Sequence, residues 1–214
     1  MTAISIIGLG TMARTLGTLA LGAGHDVQFL GRDAGRAAAV AAELDGGTGT
    51  GRATAAAVGD GAVDGGIVVL AVPYPSAAEV VAGYGEALVG RVVVDLTNPF
   101  APSFAGLVTP RESSGAQEIA AAAAPGVRVV KAFNTMFAGV LAAAPGAEPP
   151  VDVFVAGDDA DAKAAVSSLV SSLGLRPLDA GELTEAHWLE GMGLVLVQQA
   201  GRLGDFSLRI RIAA

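Results

Sequence analysis

The stretch Ile4-Ser5-Ile6-Ile7-Gly8-Leu9-Gly10-Thr11-Met12-Ala13 decides the fold of this chain. A run of β-branched residues ends at two closely spaced glycines, and the residues that follow are compatible with a helix. Such a run predicts a parallel strand that is buried on both faces. Glycines at this point permit a tight turn and let the backbone approach a pyrophosphate at the amino end of the helix. The stretch therefore predicts a dinucleotide-binding turn, in which the small Ala13 allows the helix and strand to pack closely.

The composition of the chain restricts the class of protein. Its 214 residues are 52% hydrophobic and 16% charged, so the chain can bury a large core. The net charge of −8 disfavours nucleic acid as a partner. Cysteine is absent, which excludes thiolate metal sites, and we assign no metal ligand. No apolar run reaches the length of a bilayer and no signal peptide is recognisable, so we expect a cytoplasmic protein with no membrane partner.

The end of the second predicted strand, residues 26–30, indicates which dinucleotide binds. An NAD site places a carboxylate about 20 residues after the glycines. Here Gly31 carries no charge that would repel a 2′-phosphate, and Arg32 and Arg36 are placed to bind one. We therefore predict NADP in preference to NAD, with Asp33 as the candidate N-cap of a helix over residues 34–44. The alternative is that both arginines are simply solvated.

Alternating strands and helices continue along the chain and predict its architecture. The expected class is α/β, a Rossmann-like, doubly wound and mostly parallel sheet with a short C-terminal helical extension. Residues 1–180 form the predicted NADP-binding domain. Residues 181–214 form a predicted helix and tail that complete the substrate pocket or a dimer interface. Further strands are predicted at residues 66–73, 91–95, 128–132, 152–156 and 175–181, the last at an edge of the sheet because it contains a proline.

Several local expectations accompany this architecture. Residues 53–58 are compatible with a short helix, and Ser76 is the candidate cap of the helix that follows residues 66–73. His25 is expected to be a solvated turn residue. The last helix is expected to be interrupted by Gly191 and Gly193, since glycine in a helix interior suggests a close approach to a neighbour.

Polar residues follow three of the predicted strands at the edge where ligands bind in such sheets. Pro73 and Tyr74 follow one strand, with simple packing of Tyr74 as the alternative. Asn98 follows the next strand, and Asn134 follows the strand after that, each beside a threonine. Asparagine and threonine donate and accept hydrogen bonds without charge, which suits a carboxamide or a pyrimidine-like edge.

The chain resembles the NADPH-dependent reductases of the deazaflavin coenzyme F420, and also the cytosolic reductase domain of transmembrane metalloreductases. The resemblance is carried by residues 8–13, 31–36, 71–73, 95–99 and 131–135, and most specifically by residues 174–181. It implies that Thr11, Arg32 and Arg36 surround the NADP phosphates. It also implies that Pro73, Asn134, Thr135 and Met136 lie near the nicotinamide and a stacked deazaflavin. The candidate cofactor-binding residues are Gly8, Gly10, Thr11, Met12, Ala13, Gly31, Arg32, Arg36, Ala71, Val72, Pro73, Tyr74, Asn98, Asn134, Thr135 and Met136.

The expected reaction is hydride transfer between NADP(H) and a small flavin-like acceptor, with coenzyme F420 or a flavin as the second substrate. Two stacked rings need positioning more than acid–base chemistry, so we assign no catalytic side chain. A homodimer is expected, because residues 194–197 of the last helix are apolar and a partner could cover them.

Two other classes of function stay open at this point. A carbonyl or imine reductase of the β-hydroxyacid or pyrroline-carboxylate type would need a proton donor. Lys131 is the candidate donor, although an amine that reaches solvent from the end of a strand is the simpler interpretation. Those enzymes also add a large helical domain, whereas only 34 residues follow Ala180. The third class is an NADP(H)-binding redox sensor without catalysis.

Overall fold

The computed structural model describes residues 2–45, 47, 49–59 and 63–213, and within them strands and helices alternate. The strands are β1 (Ala3–Ile7), β2 (Asp26–Gly31), β3 (Ala53–Ala57), β4 (Ile67–Leu70), β5 (Val92–Asp95), β6 (Arg128–Lys131), β7 (Asp152–Gly157) and β8 (Arg176–Gly181). The α-helices are α1 (Thr11–Gly22), α2 (Ala34–Leu44), α3 (Tyr74–Tyr84), α4 (Gly115–Ala122), α5 (Ala138–Ala142), α6 (Ala160–Ser172) and α7 (Ala186–Leu203). Short 3-10 turns occupy Gly85–Leu88, Pro102–Phe104 and Leu183–Glu185.

The strands form one eight-stranded sheet in the order β3-β2-β1-β4-β5-β6-β7-β8. All neighbouring pairs are parallel except β6 and β7, which run antiparallel through the pairs Val130↔Gly157 and Lys131↔Ala156. The order in which the strands are added to the sheet reverses between β1 and β4, which are themselves parallel. At such a point a doubly wound sheet opens a crevice at the carboxyl ends of its strands. The predicted Rossmann-like α/β fold, with a helix at its C-terminal end, is confirmed.

Helices cover both faces of the sheet and bury the apolar strands. Leu16 of α1 and Val166 of α6 belong to the core on one face, and Val81 of α3 and Ile119 of α4 belong to the core on the other. All four side chains are at most 1% exposed. Burial of a side chain of this size contributes roughly 1.5–3 kcal/mol, so the apolar strand runs dominate the stability of the fold.

The structure differs from the predictions for residues 53–58 and for Ser76. Residues 53–57 form the edge strand β3 and not a helix, because each of them pairs with a residue of β2, from Val27↔Ala53 to Gly31↔Ala57. Alanine is the strongest helix former, but intrinsic propensity is a weak preference, and this pairing overrides it. Helix α3 begins at Tyr74, so Ser76 lies inside it; Pro75 occupies the first turn, where a missing N–H costs no hydrogen bond.

The last helix, α7, runs through both of its glycines without interruption. A Cβ atom built on Gly193 would lie 3.0 Å from Asn98 Oδ1 and 3.2 Å from the Asn134 carbonyl oxygen. The predicted close approach is therefore confirmed at Gly193. At Gly191 it is wrong, because no described atom lies within 4 Å of the equivalent position.

His25 is buried and not solvated, since only 7% of it is exposed. Its Nδ1 lies 3.2 Å from the Thr2 backbone N–H, and its Nε2 lies 2.8 Å from Ser172 Oγ. The turn that the sequence predicts is present, but α6 covers it, which a local pattern does not reveal.

None of the helices in the described part of the chain combines the length and apolar character that a membrane crossing requires.

Candidate dinucleotide site

The turn after β1 requires glycine at position 8. Gly8 has a φ of +125°, and a Cβ atom there would lie 2.2 Å from the carbonyl oxygen of Ala71 at the end of β4. Gly10 is the N-cap of α1 and supplies no side-chain hydrogen bond. The first N–H groups of α1 therefore stay available to an anion. Ala13 is completely buried, which confirms the close packing of helix on strand.

A groove of about 390 Å³ opens beside this turn, across the ends of β1, β2 and β4. It brings together half of the candidate residues: Gly8, Gly10, Gly31, Arg32, Arg36, Ala71, Val72 and Pro73. A side chain at Gly31 would close part of this space, because its Cβ would lie 2.5 Å from Leu9 Cδ1. Seven lining residues are not among the candidates: Ile7, Leu9, Leu30 and Asp33 flank the predicted residues, whereas Val58, Ser76 and Val80 lie apart from them in the sequence. The only sequence signal of the last three is their position just after β3 and on α3.

Two arginine side chains at the β2 end of the groove carry its positive charge. Arg32 and Arg36 are exposed, and neither guanidinium has a hydrogen-bond or ion-pair partner among the described residues. The predicted N-cap is confirmed, since Asp33 Oδ1 accepts a hydrogen bond of 3.0 Å from the Arg36 backbone N–H. Two unpaired guanidinium groups beside a glycine turn fit the charge and geometry of a phosphate-bearing dinucleotide.

The other candidates on α1 lie outside this groove. Thr11 borders a neighbouring depression that it shares with Arg14 and Arg36. Arg14 is paired there with Glu43 of α2. Met12 is half-buried and packs against the core, as the buried Ala13 does.

Asn98 and Asn134 meet at the ends of β5 and β6, as their positions predict. Asn98 Nδ2 donates to the Asn134 carbonyl oxygen at 2.9 Å, and Asn134 Nδ2 donates to Asn98 Oδ1 at 3.0 Å. Asn134 Nδ2 also donates to the Leu189 carbonyl oxygen of α7 at 2.9 Å. Two buried oxygens here, Asn134 Oδ1 and Thr97 Oγ1, have no protein partner in the described structure. This end of the crevice therefore has unused hydrogen-bonding capacity.

The structure does not bring Tyr74, Thr135 or Met136 into the groove. Thr135 and Met136 are buried, with 4% and 8% exposed. The Tyr74 hydroxyl donates to Glu118 of α4. Burial, and then this hydrogen bond to a carboxylate, raise the pKa of the Tyr74 hydroxyl. Tyr74 therefore links α3 to α4 behind the crevice.

Lys131 does not reach solvent, contrary to the simpler interpretation of its sequence position. Its side chain is completely buried, and its Nζ lies 2.8 Å from Asp95 Oδ2, 2.8 Å from Glu190 Oε1 and 2.6 Å from the Thr97 carbonyl oxygen. An ammonium group has three N–H donors, so all of them have acceptors within the protein. The two carboxylates hold the amine inside, since an unpaired buried charge would be costly.

Glu190 extends this contact network to the amino end of α4. Its Oε2 accepts from the Gly115 N–H at 3.1 Å, and its Oε1 accepts from the Ala116 N–H at 3.4 Å. Both carboxylates of the network are completely buried. We call Asp95, Lys131 and Glu190 the buried charge cluster. Its acidic members were not predicted as site residues, although Glu190 lies between the apolar residues Leu189 and Met192 of α7.

His187 is half-buried on α7, where its Nδ1 lies 3.0 Å from the Ser113 carbonyl oxygen and its ring contacts Trp188 edge to face. These are the contacts of a packed residue.

Comparison with known proteins defines the class in which this fold and groove occur. Residues 3–99 match the family model described as NADP oxidoreductase, coenzyme F420-dependent. Over this part of its length, the chain is therefore similar to NADP-dependent oxidoreductases.

Individual relatives narrow the class and confirm the resemblance stated from the sequence. The chain is 28% identical to metalloreductase STEAP3 of Rattus norvegicus over 91% of its own length, and 28% identical to the F420-dependent NADP reductase of Methanocaldococcus jannaschii over 64%. It covers only 37% and 63% of those two proteins. A crystal structure of a candidate F420-dependent NADP reductase from Arthrobacter sp. FB24 matches with a TM-score of 0.84 and 29% identity, over 100% of both chains.

Proposed function

We propose that this protein transfers a hydride between NADP(H) and a flavin-like acceptor, with coenzyme F420 as the first candidate. The observation that carries the proposal is the pair of unpaired guanidinium groups, Arg32 and Arg36, in the same groove as the Gly8 turn. The turn and the amino end of α1 would hold the pyrophosphate, and the arginines would hold the 2′-phosphate. NADP(H), when bound, supplies the nicotinamide that gives or takes the hydride.

Residues 181–214 complete the acceptor side of the crevice in this proposal. The contact of Gly193 with Asn98 and Asn134 supports the assignment, because it brings α7 against the ends of β5 and β6. A flat acceptor ring would lie between these residues and the groove, on the side of the Asn134 amide, whose buried oxygen has no partner in the described structure. Residues 1–180 would then act as the NADP-binding domain.

The state of Lys131 favours a flavin-like acceptor over a carbonyl or an imine. A carbonyl reductase needs a proton donor at the new hydroxyl group. Lys131 is fully buried and its three N–H donors are engaged, so it has no proton to offer a substrate. A ring that carries its own redox chemistry needs position and exclusion of water, and not an acid side chain. The name of the Methanocaldococcus jannaschii relative supports F420 as that ring.

A spectrophotometric assay tests the proposed reaction. The protein is mixed with NADPH and oxidised F420, and with NADP⁺ and reduced F420, while the absorbance of the deazaflavin is followed. Flavin mononucleotide, a cyclic imine and an aldehyde serve as parallel acceptors. We expect turnover with F420 or the flavin. Turnover with the imine or aldehyde alone would establish the carbonyl or imine class instead, and binding of NADPH without any turnover would establish a sensor.

We propose in addition that the protein forms a homodimer through the outer face of α7. Trp188 and Val195 support this, because they are 66% and 57% exposed on the same helix. A second copy would remove these apolar side chains from water.

A further inference from the structure

The two ends of the crevice carry opposite charge. Arg32 and Arg36 make the β2 end positive. At the β5 end, the Asp95 and Glu190 carboxylates share a single ammonium group, that of Lys131, and a third carboxylate, Glu118, accepts from the Tyr74 hydroxyl. The proposed function uses the positive end and leaves the negative end unexplained.

The hydrogen bonds of the buried charge cluster define its charge. Glu190 accepts only from N–H donors, those of Lys131, Gly115 and Ala116. Asp95 likewise accepts from Lys131 Nζ and, at 2.8 Å, from the Thr97 N–H. With two carboxylates and one ammonium, the cluster has one acidic group more than it has basic groups, and the amino end of α4 offsets this excess only in part.

The buried charge cluster begins on the strand next to the one that leads into the Pro73 end of the groove. Asp95 is the register partner of Leu70 in the sheet, and Leu70 immediately precedes the groove residue Ala71. Because all three side chains are fully buried, water and salt screen their field weakly.

Tyr74 lies between the buried charge cluster and the third carboxylate, that of Glu118. A Cβ atom built on Gly115 would lie 3.0 Å from Tyr74 Cε2 and 3.2 Å from Glu190 Oε1, so the tyrosine ring adjoins the Glu190 carboxylate. The same tyrosine donates its hydroxyl proton to Glu118. A negative field therefore extends from the cluster to the residue that follows Pro73.

We propose that Asp95, Glu118 and Glu190 make the crevice selective for the oxidised cofactor, NADP⁺, over NADPH. The inference relies on the proposed function. When NADPH gives its hydride to the acceptor, the cofactor loses two electrons and one proton from one carbon, and the neutral dihydronicotinamide becomes a cationic pyridinium ring. The negative end of the crevice stabilises that cation, while the positive end binds the 2′-phosphate, which is the same in both forms. The unpartnered oxygens of Thr97 and Asn134 identify this end as one that receives a polar group.

Isothermal titration of NADP⁺ and NADPH against native protein and variants tests the proposal. Glu190→Gln and Glu118→Gln each remove one negative charge while keeping an amide of similar shape. We expect each to weaken NADP⁺ binding by about three- to tenfold and to change NADPH binding by less than about twofold. Glu190→Asp keeps the charge and is expected to retain the native ratio of the two dissociation constants. Thermal melting verifies that each variant is folded; Glu118 is only half-buried, so its variant provides the test if Glu190→Gln does not fold.

Arg32→Ala separates the failure of this inference from the failure of the proposed function. We expect that variant to weaken both cofactors by the same factor. Suppose that Arg32→Ala does so, while Glu190→Gln and Glu118→Gln change the dissociation constants of NADP⁺ and NADPH equally or leave both unchanged. The charge selectivity is then overturned, and the proposed NADP site is still supported. If Arg32→Ala changes neither dissociation constant, the proposed site itself is wrong, and the inference fails with it.

Discussion

Arg32 and Arg36 are the residues on which the choice of dinucleotide depends. Both side chains are exposed and unpaired in the described structure, so binding a phosphate does not require them to break an existing ion pair. Arg36 lies in the first turn of α2, where a cation faces the positive end of the helix dipole. A bound 2′-phosphate would remove that unfavourable interaction, which adds to the preference for NADP(H).

We expect Arg32→Ala to raise the KM for NADPH by about 10- to 100-fold and to leave the KM for NADH nearly unchanged. A charge-assisted hydrogen bond to the 2′-phosphate contributes roughly 1.5–3 kcal/mol. NADH has no 2′-phosphate, so it makes no such bond and loses nothing in the variant. Steady-state kinetics with both cofactors, using the acceptor found in the spectrophotometric assay, measures the difference. Equal losses with NADPH and NADH would show that Arg32 does not bind the 2′-phosphate.

Residues that act through local backbone geometry could be predicted, and residues that act through distant partners could not. Gly8 follows a strand and precedes a helix, and that local pattern alone indicates the turn that its positive φ confirms. The burial of Lys131 depends on Asp95 and Glu190, which are 36 and 59 positions away in the chain. Charge pairs over such separations leave no periodic pattern in the sequence.

At the scale of secondary structure, strands with strong apolar runs were predicted well and the alanine-rich segment was not. β2 and β6 lie within a residue of their predicted bounds. Residues 53–57 contain four alanines and one threonine, which indicate neither a helix nor a strand strongly. Only the adjacent edge of β2 makes this segment a strand, and that information is tertiary.

His25 joins three elements of the fold. It lies in the turn between α1 and β2, accepts a hydrogen bond from Thr2 just before β1, and contacts Ser172 at the end of α6. A backbone N–H can only donate, so Nδ1 is the acceptor and the neutral ring carries its proton on Nε2. Ser172 Oγ accepts that proton and donates to the Leu169 carbonyl oxygen at 2.6 Å. Protonation of Nδ1 would break the Thr2 contact.

We expect stability to fall with decreasing pH in a way that depends on His25. Burial lowers the pKa of His25 below its usual value of 6.5. Below that value the unfolded chain binds a proton at His25 before the folded protein does, so acid favours the unfolded state. His25→Gln removes this contribution, and the stability difference between native protein and variant should shrink as the pH falls from about 7 to about 5. Urea unfolding across this range measures it.

The comparison of native protein with His25→Gln has an internal control above neutral pH. His25 is uncharged there in both states, so the stability difference should be constant between about pH 7 and 8. A difference that stays constant down to about pH 5 would show that His25 does not titrate between the folded and unfolded states.

At the scale of the whole molecule, the sequence predicted which strand ends meet but not how deep the crevice is at each point. The glycine turn and the arginines share one groove, as their spacing indicated. Thr135 and Met136 are instead buried, and Met136 belongs to the same apolar core as Val140 and Leu141 of helix α5. The placement of a helix over a loop is set by the packing of the entire domain.

We expect the protein in solution to have twice the mass of one chain, as light scattering at micromolar concentration measures. Val195→Glu places a charge on the exposed face of α7 and should yield monomers, since a buried unpaired charge opposes association. Val89→Glu is the matched control, because Val89 is also exposed, at 43%, but precedes β5 instead of lying on α7. A monomeric native protein, or a dimer that persists in Val195→Glu, would contradict the proposed interface.

The position of β8 at the outer edge of the sheet limits how copies of this protein can associate. Pro177 lies within β8 and has no backbone N–H, so this edge lacks one donor that a neighbouring strand would need. Natural sheets use proline at such margins to discourage runaway edge-to-edge aggregation. Growth of the sheet from one molecule into the next is therefore disfavoured on this side.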